Sequence, residues 1–387
     1  TEIVKGHSYT AEEHTVYSDG YELVLHRISG SPSRPSAPGK PVVYMQHGIF
    51  MWSVNLILRG PGKDLVFLLA DAGYDVWIGN ARGNSYSRSH DTLKPDDSNF
   101  WDFSYQEIGL GDVKAFIDHA LNVTEQESLT YIGYSAGAAE GFILLSSITE
   151  YNDKVNLFIG IAPSVFWNHA SYSVQLLSQA IRVVENTKYY VGVGPTEIFS
   201  RSTGPRPVEY FCGKESGFTR TLCNIVFTTL GPIKHTTRLS QEILTAFMRA
   251  WPAGTSDRFL FHFGQNMRSG LFQAYDFGYK RNLEEYGSAA PPPYDLSKVT
   301  SPVALYFGGS DVFVATEDIE SLKESLPKVV EYQKINDFDH LDFILFDDLE
   351  DILYSPMIKL ISKYSDGNSR KSGEDIATTI PNEIDRT

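Results

Sequence analysis

The pentapeptide Gly-Tyr-Ser-Ala-Gly at residues 133–137 restricts the fold of this chain more than any other feature. An apolar stretch typical of a buried strand, residues 129–134, ends at it, and an apolar helical stretch, residues 136–149, begins directly after the serine. A turn this tight brings neighbouring backbone too close for side chains at the two glycine positions. A strand, a G-x-S-x-G turn and a helix in this order form the context of a nucleophile elbow, which presents the hydroxyl of Ser135.

Strand and helix patterns alternate on both sides of this turn. Further strand-like segments cover residues 42–45, 75–79, 155–161, 302–307 and 329–335. Such alternation predicts a parallel sheet with helices on its faces. The first segments differ, because Asp19-Gly20 between two strand patterns indicates a hairpin. We therefore predict an α/β fold whose mostly parallel sheet opens with an antiparallel hairpin.

The alternation stops between residues 164 and 300. Scattered aromatic and helical segments fill this stretch, and a proline run closes it. We interpret it as a large inserted, mainly helical cap on a core made of residues 1–163 and 301–365. The cap covers a substrate pocket, stabilises the core, or does both. Residues 366–387 form a polar tail that buries too little apolar surface to offset its ordering entropy, so we expect it to be disordered.

The charge balance limits the partners of the chain. Its 387 residues carry a formal net charge of −15, which leaves no excess of cations for a nucleic-acid backbone, so nucleic acid is not an expected partner. No stretch approaches the roughly 18 apolar residues of a membrane-spanning helix, and we expect no transmembrane anchor. Metal-ligand motifs are absent from the sequence, so no metal or other cofactor is expected. The oligomeric state stays open.

Three features bear on the cellular compartment. Cys212 and Cys223 are close enough in sequence to close a short loop, one glycosylation sequon begins at Asn122, and the chain starts at Thr1 rather than Met. We therefore expect a secreted or lysosomal protein whose signal peptide has been removed, with Asn122 glycosylated. A pair of free thiols in a cytosolic protein is the alternative.

A serine nucleophile needs a base and a group that orients the base. After an elbow of this kind the acid and then the histidine follow, each beyond the carboxyl end of a later strand. Asp311 and His340 fit that order, since they follow the two last predicted strands. Taken singly, Asp311 suits a turn or helix cap and His340 a surface loop, but three matching positions favour a triad with Ser135.

Three other aspartates compete with Asp311 as the group that orients His340: Asp337, Asp339 and Asp342. All three share one short loop with the histidine. Neighbours on such a loop are poorly placed to reach the imidazole ring from behind, so Asp311 is preferred.

The segment Gln46-His47-Gly48-Ile49 ends an earlier strand, where this type of fold takes its second oxyanion donor. We predict that the backbone N–H groups of Ile49 and Ala136 form the oxyanion hole. His47 itself is interpreted as a partly buried histidine that holds this loop through a hydrogen bond.

Six further blocks are long and specific: residues 46–49 (QHGI), 69–77 (LADAGYDVW), 79–84 (GNARGN), 100–105 (FWDFSY), 252–256 (PAGTS) and 308–311 (GGSD). In these blocks the chain resembles the acid lipase family of α/β-hydrolases, which includes gastric and lysosomal acid lipases and secreted insect lipases. The resemblance extends from about His14 to about Tyr364 and leaves only the polar tail outside.

The resemblance implies the α/β-hydrolase fold and assigns the same roles by motif. It implies the nucleophile at Ser135, the acid at Asp311, the base at His340 and the oxyanion pair at Ile49 and Ala136. It also implies that Cys212 and Cys223 form the disulfide of the cap, although the third cysteine usual in the family is absent.

Two residues next to the nucleophile depart from the family pattern. The family usually has His before the serine and Gln after it, where this chain has Tyr134 and Ala136. These changes alter the packing beneath the serine and remove a side chain that could brace the elbow, which puts rate and substrate preference in question. The resemblance implies a serine ester hydrolase acting on neutral lipid, with triacylglycerols and sterol esters as candidate substrates. The alternatives are a catalytically weak or silent protein for lipid binding or storage, and a carboxylesterase for short-chain esters.

Overall fold

The computed structural model describes residues 1–199 and 241–365. In these ranges nine strands form one sheet and two short strands, β8 and β9, form a second. The strands are β1 (Thr10–Ser18), β2 (Tyr21–Gly30), β3 (Val42–Gln46), β4 (Asp75–Gly79), β5 (Ser89–His90), β6 (Leu129–Tyr134), β7 (Val155–Ile161), β8 (Glu197–Ile198), β9 (Thr255–Ser256), β10 (Val303–Gly308) and β11 (Val329–Ile335). The order in the large sheet is β1-β2-β4-β3-β6-β7-β10-β11, with β5 on β2.

The pairing changes direction once across this sheet. All neighbours from β4 to β11 are parallel, whereas β2 is antiparallel to β1, β4 and β5. Asp19 and Gly20 join β1 to β2 with φ angles of 50° and 83°, the left-handed geometry that a two-residue hairpin turn requires. The prediction of an α/β-hydrolase fold, with a mostly parallel sheet and a leading hairpin, is confirmed.

Helices cover both faces of the sheet and also occur in the described part of the segment between β7 and β10. Those in the described ranges are α1 (Glu2–Gly6), α2 (Leu65–Ala72), α3 (Tyr105–Glu107), α4 (Lys114–Thr124), α5 (Ala136–Ser147), α6 (Tyr151–Lys154), α7 (Tyr172–Val191), α8 (Gln241–Ala250), α9 (Asp257–Ser269), α10 (Tyr279–Tyr286), α11 (Thr316–Ser325), α12 (Asp342–Leu345) and α13 (Ser355–Ser365). A π-helical turn, Ile108–Val113, joins α3 to α4.

The core lies on both faces of the central strands. Every residue of β6 is buried, and successive side chains enter opposite layers: Tyr131 packs in one apolar cluster and Ile132 in the other. A strand covered on both faces is a continuous apolar run rather than an alternating one, as the sequence of β6 shows. The turn that carries Ser135 therefore follows a strand that is buried along its whole length.

The strands before and after the predicted cap are neighbours in the sheet. β7 pairs with β10, with Phe158 opposite Val303, although some 140 residues separate them. The described part of residues 164–300 contains α7 to α10 and the small sheet of β8 and β9. The division into core and cap remains a prediction, and the predicted tail, residues 366–387, lies outside the described residues.

Candidate active site

The turn between β6 and α5 holds Ser135 in a strained backbone conformation with a positive φ, at φ 55° and ψ −117°. Such a conformation is costly for a residue with a side chain and is typical of functional sites. A Cβ atom at Gly133 would lie 2.6 Å from the backbone of Ala138, and one at Gly137 would lie 2.5 Å from the carbonyl oxygen of Gln46. Both glycines are therefore required by close backbone approach.

Two hydrogen bonds of 2.8 Å connect three side chains from the ends of three parallel strands. Ser135 Oγ lies 2.8 Å from His340 Nε2, and His340 Nδ1 lies 2.8 Å from Asp311 Oδ2. The serine is 5% exposed and the histidine 8%, while the aspartate side chain has no exposed area. The structure thus brings together the three residues that the sequence placed far apart.

The remaining oxygen of Asp311 is also occupied. Oδ1 accepts hydrogen bonds from the backbone N–H groups of Phe313 and Val314, at 2.8 and 3.1 Å. The carboxylate is therefore fixed in orientation, with one oxygen held by the backbone and the other facing the imidazole.

The competing aspartates have different surroundings. Asp339 Oδ1 accepts from the backbone N–H groups of Leu341 and Asp342 at 3.2 Å, and Asp342 Oδ2 accepts from the N–H of Asp339 at 2.8 Å. These bonds brace the loop that carries His340. Asp337, the third competitor, stands in the turn after β11. Asp311 is the aspartate found on His340 Nδ1.

Two further side chains, Ser164 and Tyr134, contact the triad. Ser164 Oγ lies 3.2 Å from Ser135 Oγ, and the Tyr134 hydroxyl donates a 2.7 Å hydrogen bond to the carbonyl oxygen of His340. Both are buried. Ser164 carries no motif of its own, and only the tight turn after β7 could have marked it. Tyr134 was singled out as a departure from the family pattern, but its bond to the loop of His340 was not predicted.

The loop after β3 lies directly against the elbow. A Cβ at Gly48 would lie 3.2 Å from Ser135 Cβ and from the Tyr134 ring, so glycine permits this approach. Ile49 follows in the same loop, and Ala136 begins α5. No hydrogen bond from either backbone N–H is found within residues 1–199 and 241–365. The N-terminus of α5 adds the positive end of its dipole beside the serine.

His47 anchors this loop as a neutral side chain. Its Nδ1 donates to the Gly48 carbonyl oxygen at 2.8 Å, and its Nε2 accepts from Asn84 Nδ2 at 3.2 Å. Burial lowers the pKa of His47 to about 4, and the hydrogen bond to the Gly48 carbonyl oxygen opposes that shift. The ring is buried rather than partly buried, and its hydrogen bonds match the loop-holding role expected for it.

A second polar chain runs beneath the elbow. Gln46 Nε2 donates to Glu140 Oε2 at 2.8 Å, and Gln46 Oε1 accepts from the hydroxyl of Tyr44. Burial raises the pKa of the Glu140 carboxyl well above its usual range, and the bond from Gln46 opposes that shift. These hydrogen bonds link β3, which precedes the loop of Ile49, to α5, which follows Ser135.

Other predicted positions lie away from this centre. Asn122 is exposed near the end of α4, and Thr124 of its sequon donates to the carbonyl oxygen of Ala120 at 2.7 Å. Cys212 and Cys223 lie outside the described residues. Within the described ranges, no cluster of three or more metal-ligating side chains is found, and no helix combines the length and apolar character needed to cross a bilayer.

Two family models match the chain. Residues 1–60 match the partial alpha/beta-hydrolase lipase region, and residues 41–191 match the alpha/beta hydrolase fold. Together these matches include the loop after β3, the turn that carries Ser135, and Ser164.

Similar proteins cover nearly the whole chain. Lipase 1 of Drosophila melanogaster is 33% identical over 96% of this chain and 81% of its own length. Lipase member K of Homo sapiens is 32% identical over 94% of this chain and 90% of its length. Gastric triacylglycerol lipase of Mus musculus is 32% identical over 92% of this chain and 89% of its length.

Solved structures share the fold at lower identity. A monoglyceride lipase variant from Saccharomyces cerevisiae has a TM-score of 0.56 at 13% identity and covers 92% of this chain and 95% of its own. An epoxide hydrolase from Vigna radiata has a TM-score of 0.52 at 15% identity, over 91% and 98%. Because these two proteins perform different reactions by name, the likeness concerns the fold alone.

Proposed function

We propose that this chain, which belongs to the acid lipase family of α/β-hydrolases, is a serine ester hydrolase that cleaves neutral lipid esters. The observation that carries the proposal is the pair of 2.8 Å hydrogen bonds joining Ser135, His340 and Asp311. An ordered serine, imidazole and carboxylate, buried at the end of a sheet, is suited to acyl transfer.

The reaction follows from the contacts. Asp311 accepts a hydrogen bond from the Nδ1–H of His340, and this tautomer leaves a lone pair on Nε2 toward the Ser135 hydroxyl. His340 takes that proton as Ser135 Oγ attacks the ester carbonyl, and the backbone N–H groups of Ile49 and Ala136 hold the oxyanion. The alcohol leaves with the proton from His340, and water then releases the acid from the acyl-serine by the same steps in reverse order.

A cluster of aromatic side chains at the loop of Ile49 supports the proposal that the substrate has a bulky acyl chain. Phe50, which follows Ile49, packs edge-to-face on Phe199 at 4.9 Å between ring centroids and on Trp251 at 6.1 Å. Phe199 is 58% exposed. Phe199 and Trp251 belong to the predicted cap, which we propose covers the acyl pocket and excludes water. Triacylglycerols and sterol esters are the proposed substrates, and one relative is by name a triacylglycerol lipase.

Labelling with a fluorophosphonate probe tests the hydrolase assignment. We expect covalent modification at Ser135, and we expect Ser135→Ala to lose labelling and about 10⁶-fold in kcat while remaining folded. Ser146→Ala is the matched control, because Ser146 is also buried but donates to the Phe142 carbonyl oxygen of its own helix. An active Ser135→Ala variant would refute the assignment. An unlabelled, inactive wild-type protein would favour a silent lipid-binding protein.

A chain-length series tests the substrate class. Each CH₂ that enters an apolar pocket contributes about 0.8 kcal/mol, so kcat/KM for p-nitrophenyl esters should rise three- to fourfold per methylene until the pocket is full. Triolein and cholesteryl oleate, dispersed in detergent, extend the series to natural lipid classes. A maximum at acetate or butyrate without cleavage of either lipid would indicate a short-chain carboxylesterase.

We also propose that the protein is secreted or lysosomal, with a glycan on Asn122 and a disulfide between Cys212 and Cys223. The exposed position of Asn122 leaves room for a glycan. Peptide mapping by mass spectrometry with and without reduction, on protein from its native source, tests both modifications. Free thiols together with an unmodified Asn122 would indicate a reducing compartment instead.

A further inference from the structure

Ser164 is fixed beside the nucleophile by the backbone of the nucleophile itself. The N–H of Ser135 donates to the carbonyl oxygen of Ile161 at 2.8 Å, and the N–H of Ser164 donates to the carbonyl oxygen of Ser135 at 3.3 Å. Ala162, in between, has a φ of 46°, which turns the chain sharply after β7. The two serine Oγ atoms are consequently 3.2 Å apart, and Ser164 is 4% exposed.

The direction of the bond between the two hydroxyls follows from the histidine. His340 Nδ1 faces the Asp311 carboxylate and carries the ring proton, so Nε2 can only accept. The single hydrogen of Ser135 therefore points to His340. The hydrogen bond between the serines must then be donated by Ser164 to a lone pair of Ser135 Oγ.

We propose that Ser164 is a further catalytic residue, which assists the departure of Ser135 Oγ from the acyl-enzyme. The inference rests on the proposed function. In deacylation the oxygen of water bonds to the acyl carbon, and His340 takes one proton from that water. The bond between the acyl carbon and Oγ then breaks, its electron pair passes to Oγ, and the proton on His340 Nε2 moves to Oγ. Ser164 keeps its own proton and donates a hydrogen bond throughout.

This contact changes strength along the reaction. An ester oxygen is a weak acceptor, whereas the oxygen of a leaving serine gains negative charge, and hydrogen bonds to charged groups are the stronger ones. The Ser164 bond is therefore gained as the acyl-enzyme breaks down. In acylation the Ser164 hydrogen bond weakens instead, because the oxygen of the free Ser135 hydroxyl is a better acceptor than the ester oxygen that it becomes. Ser164 should consequently accelerate deacylation without accelerating acylation.

The test separates these two steps in the full-length protein. With a p-nitrophenyl ester, kcat/KM reports acylation, while kcat and the size of the initial burst report the balance between acylation and deacylation. We expect Ser164→Ala to lower kcat about tenfold and enlarge the burst, with kcat/KM within threefold of wild type. Mass spectrometry of quenched samples should show more acyl adduct on Ser135.

Two further variants keep the test decisive. Ser164→Cys is close in size but a weaker donor, so it should give an intermediate kcat, and it carries the test if the alanine variant does not fold. Ser146→Ala should leave the burst and kcat unchanged. A parallel fall of kcat and kcat/KM, or an unchanged burst, would overturn the role of Ser164. If the wild-type protein forms no acyl adduct on Ser135, the proposed function itself is wrong. That result is distinguishable from one in which the adduct forms but Ser164→Ala does not slow its hydrolysis.

Discussion

Replacing Asp311 by Asn should abolish most of the activity, because it forces His340 into the other tautomer. Asp311 Oδ1 accepts from two backbone N–H groups, and Oδ2 faces His340 Nδ1. In Asp311→Asn the amide oxygen must stay with the two N–H donors, so the NH₂ group points at Nδ1. His340 then carries its proton on Nε2, where it cannot accept the proton of Ser135.

The expected loss in kcat follows from the burial of the Asp311 side chain. The Asp311 side chain has no exposed area, so water cannot replace the lost acceptor. A histidine held in the wrong tautomer costs about 10⁴ in kcat, or ~5 kcal/mol of transition-state stabilisation. The fold should persist, since Asn has nearly the shape of Asp and keeps both backbone hydrogen bonds.

Asp339→Asn is the matched control for this prediction. Asp339 is also fully buried and also accepts from two backbone N–H groups, but on the loop of His340. Steady-state hydrolysis of a p-nitrophenyl ester, with thermal unfolding of both variants, provides the measurement. An Asp311→Asn variant within tenfold of wild type, or an Asp339→Asn variant that loses more activity, would refute the reasoning.

Two further predictions concern stability. Burial lowers the pKa of His47 from 6.5 to about 4 in the folded protein. The neutral ring therefore contributes fully to stability above pH 6.5, and this contribution is lost as the pH falls toward 4. Between pH 7.5 and 5 wild type should therefore lose about 2 kcal/mol more than His47→Gln in urea unfolding, and parallel pH profiles would contradict this. Asp112→Ala should cost about 3 kcal/mol, because it removes the buried carboxylate 2.8 Å from Arg82 Nε and leaves this buried guanidinium paired with the exposed carboxylate of Asp19. Thermal and urea unfolding measure this loss, and a value below about 1 kcal/mol would show that the pair is dispensable.

The sequence predicted the sheet well because its central strands are buried on both faces. Continuous apolar runs such as β6 stand out from the surrounding helices, and Asp19-Gly20 has few uses other than a hairpin turn. The order of Ser135, Asp311 and His340 was visible for a related reason, since Ser135 and Asp311 follow such runs and His340 follows the next strand, β11, which is half-buried. The resemblance to acid lipases is confirmed by relatives that cover most of the chain.

Contacts between distant segments could not be predicted in this way. The sequence indicates one helix over residues 105–121, whereas the structure has a π-helical turn at Ile108–Val113 and helix continuing to Thr124. Gly109, in that turn, approaches α5 so closely that a Cβ would lie 2.6 Å from the Glu140 carbonyl oxygen. No periodicity in a single segment encodes such a fit. Ser164 was missed for the same reason, because its partner is 29 positions away.

The residues that depart from the family pattern next to the nucleophile have identifiable contacts here. Tyr134 is 4% exposed, its hydroxyl holds the carbonyl oxygen of His340, and its ring centroid lies 5.4 Å from the imidazole centroid. The strand that carries the nucleophile is thus bonded directly to the loop that carries the base. Ala136 has no exposed area, and its proposed role needs only its backbone N–H. A buried bond from Gln46 to Glu140 ties the end of β3, which precedes the loop of Ile49, to the helix that begins at Ala136.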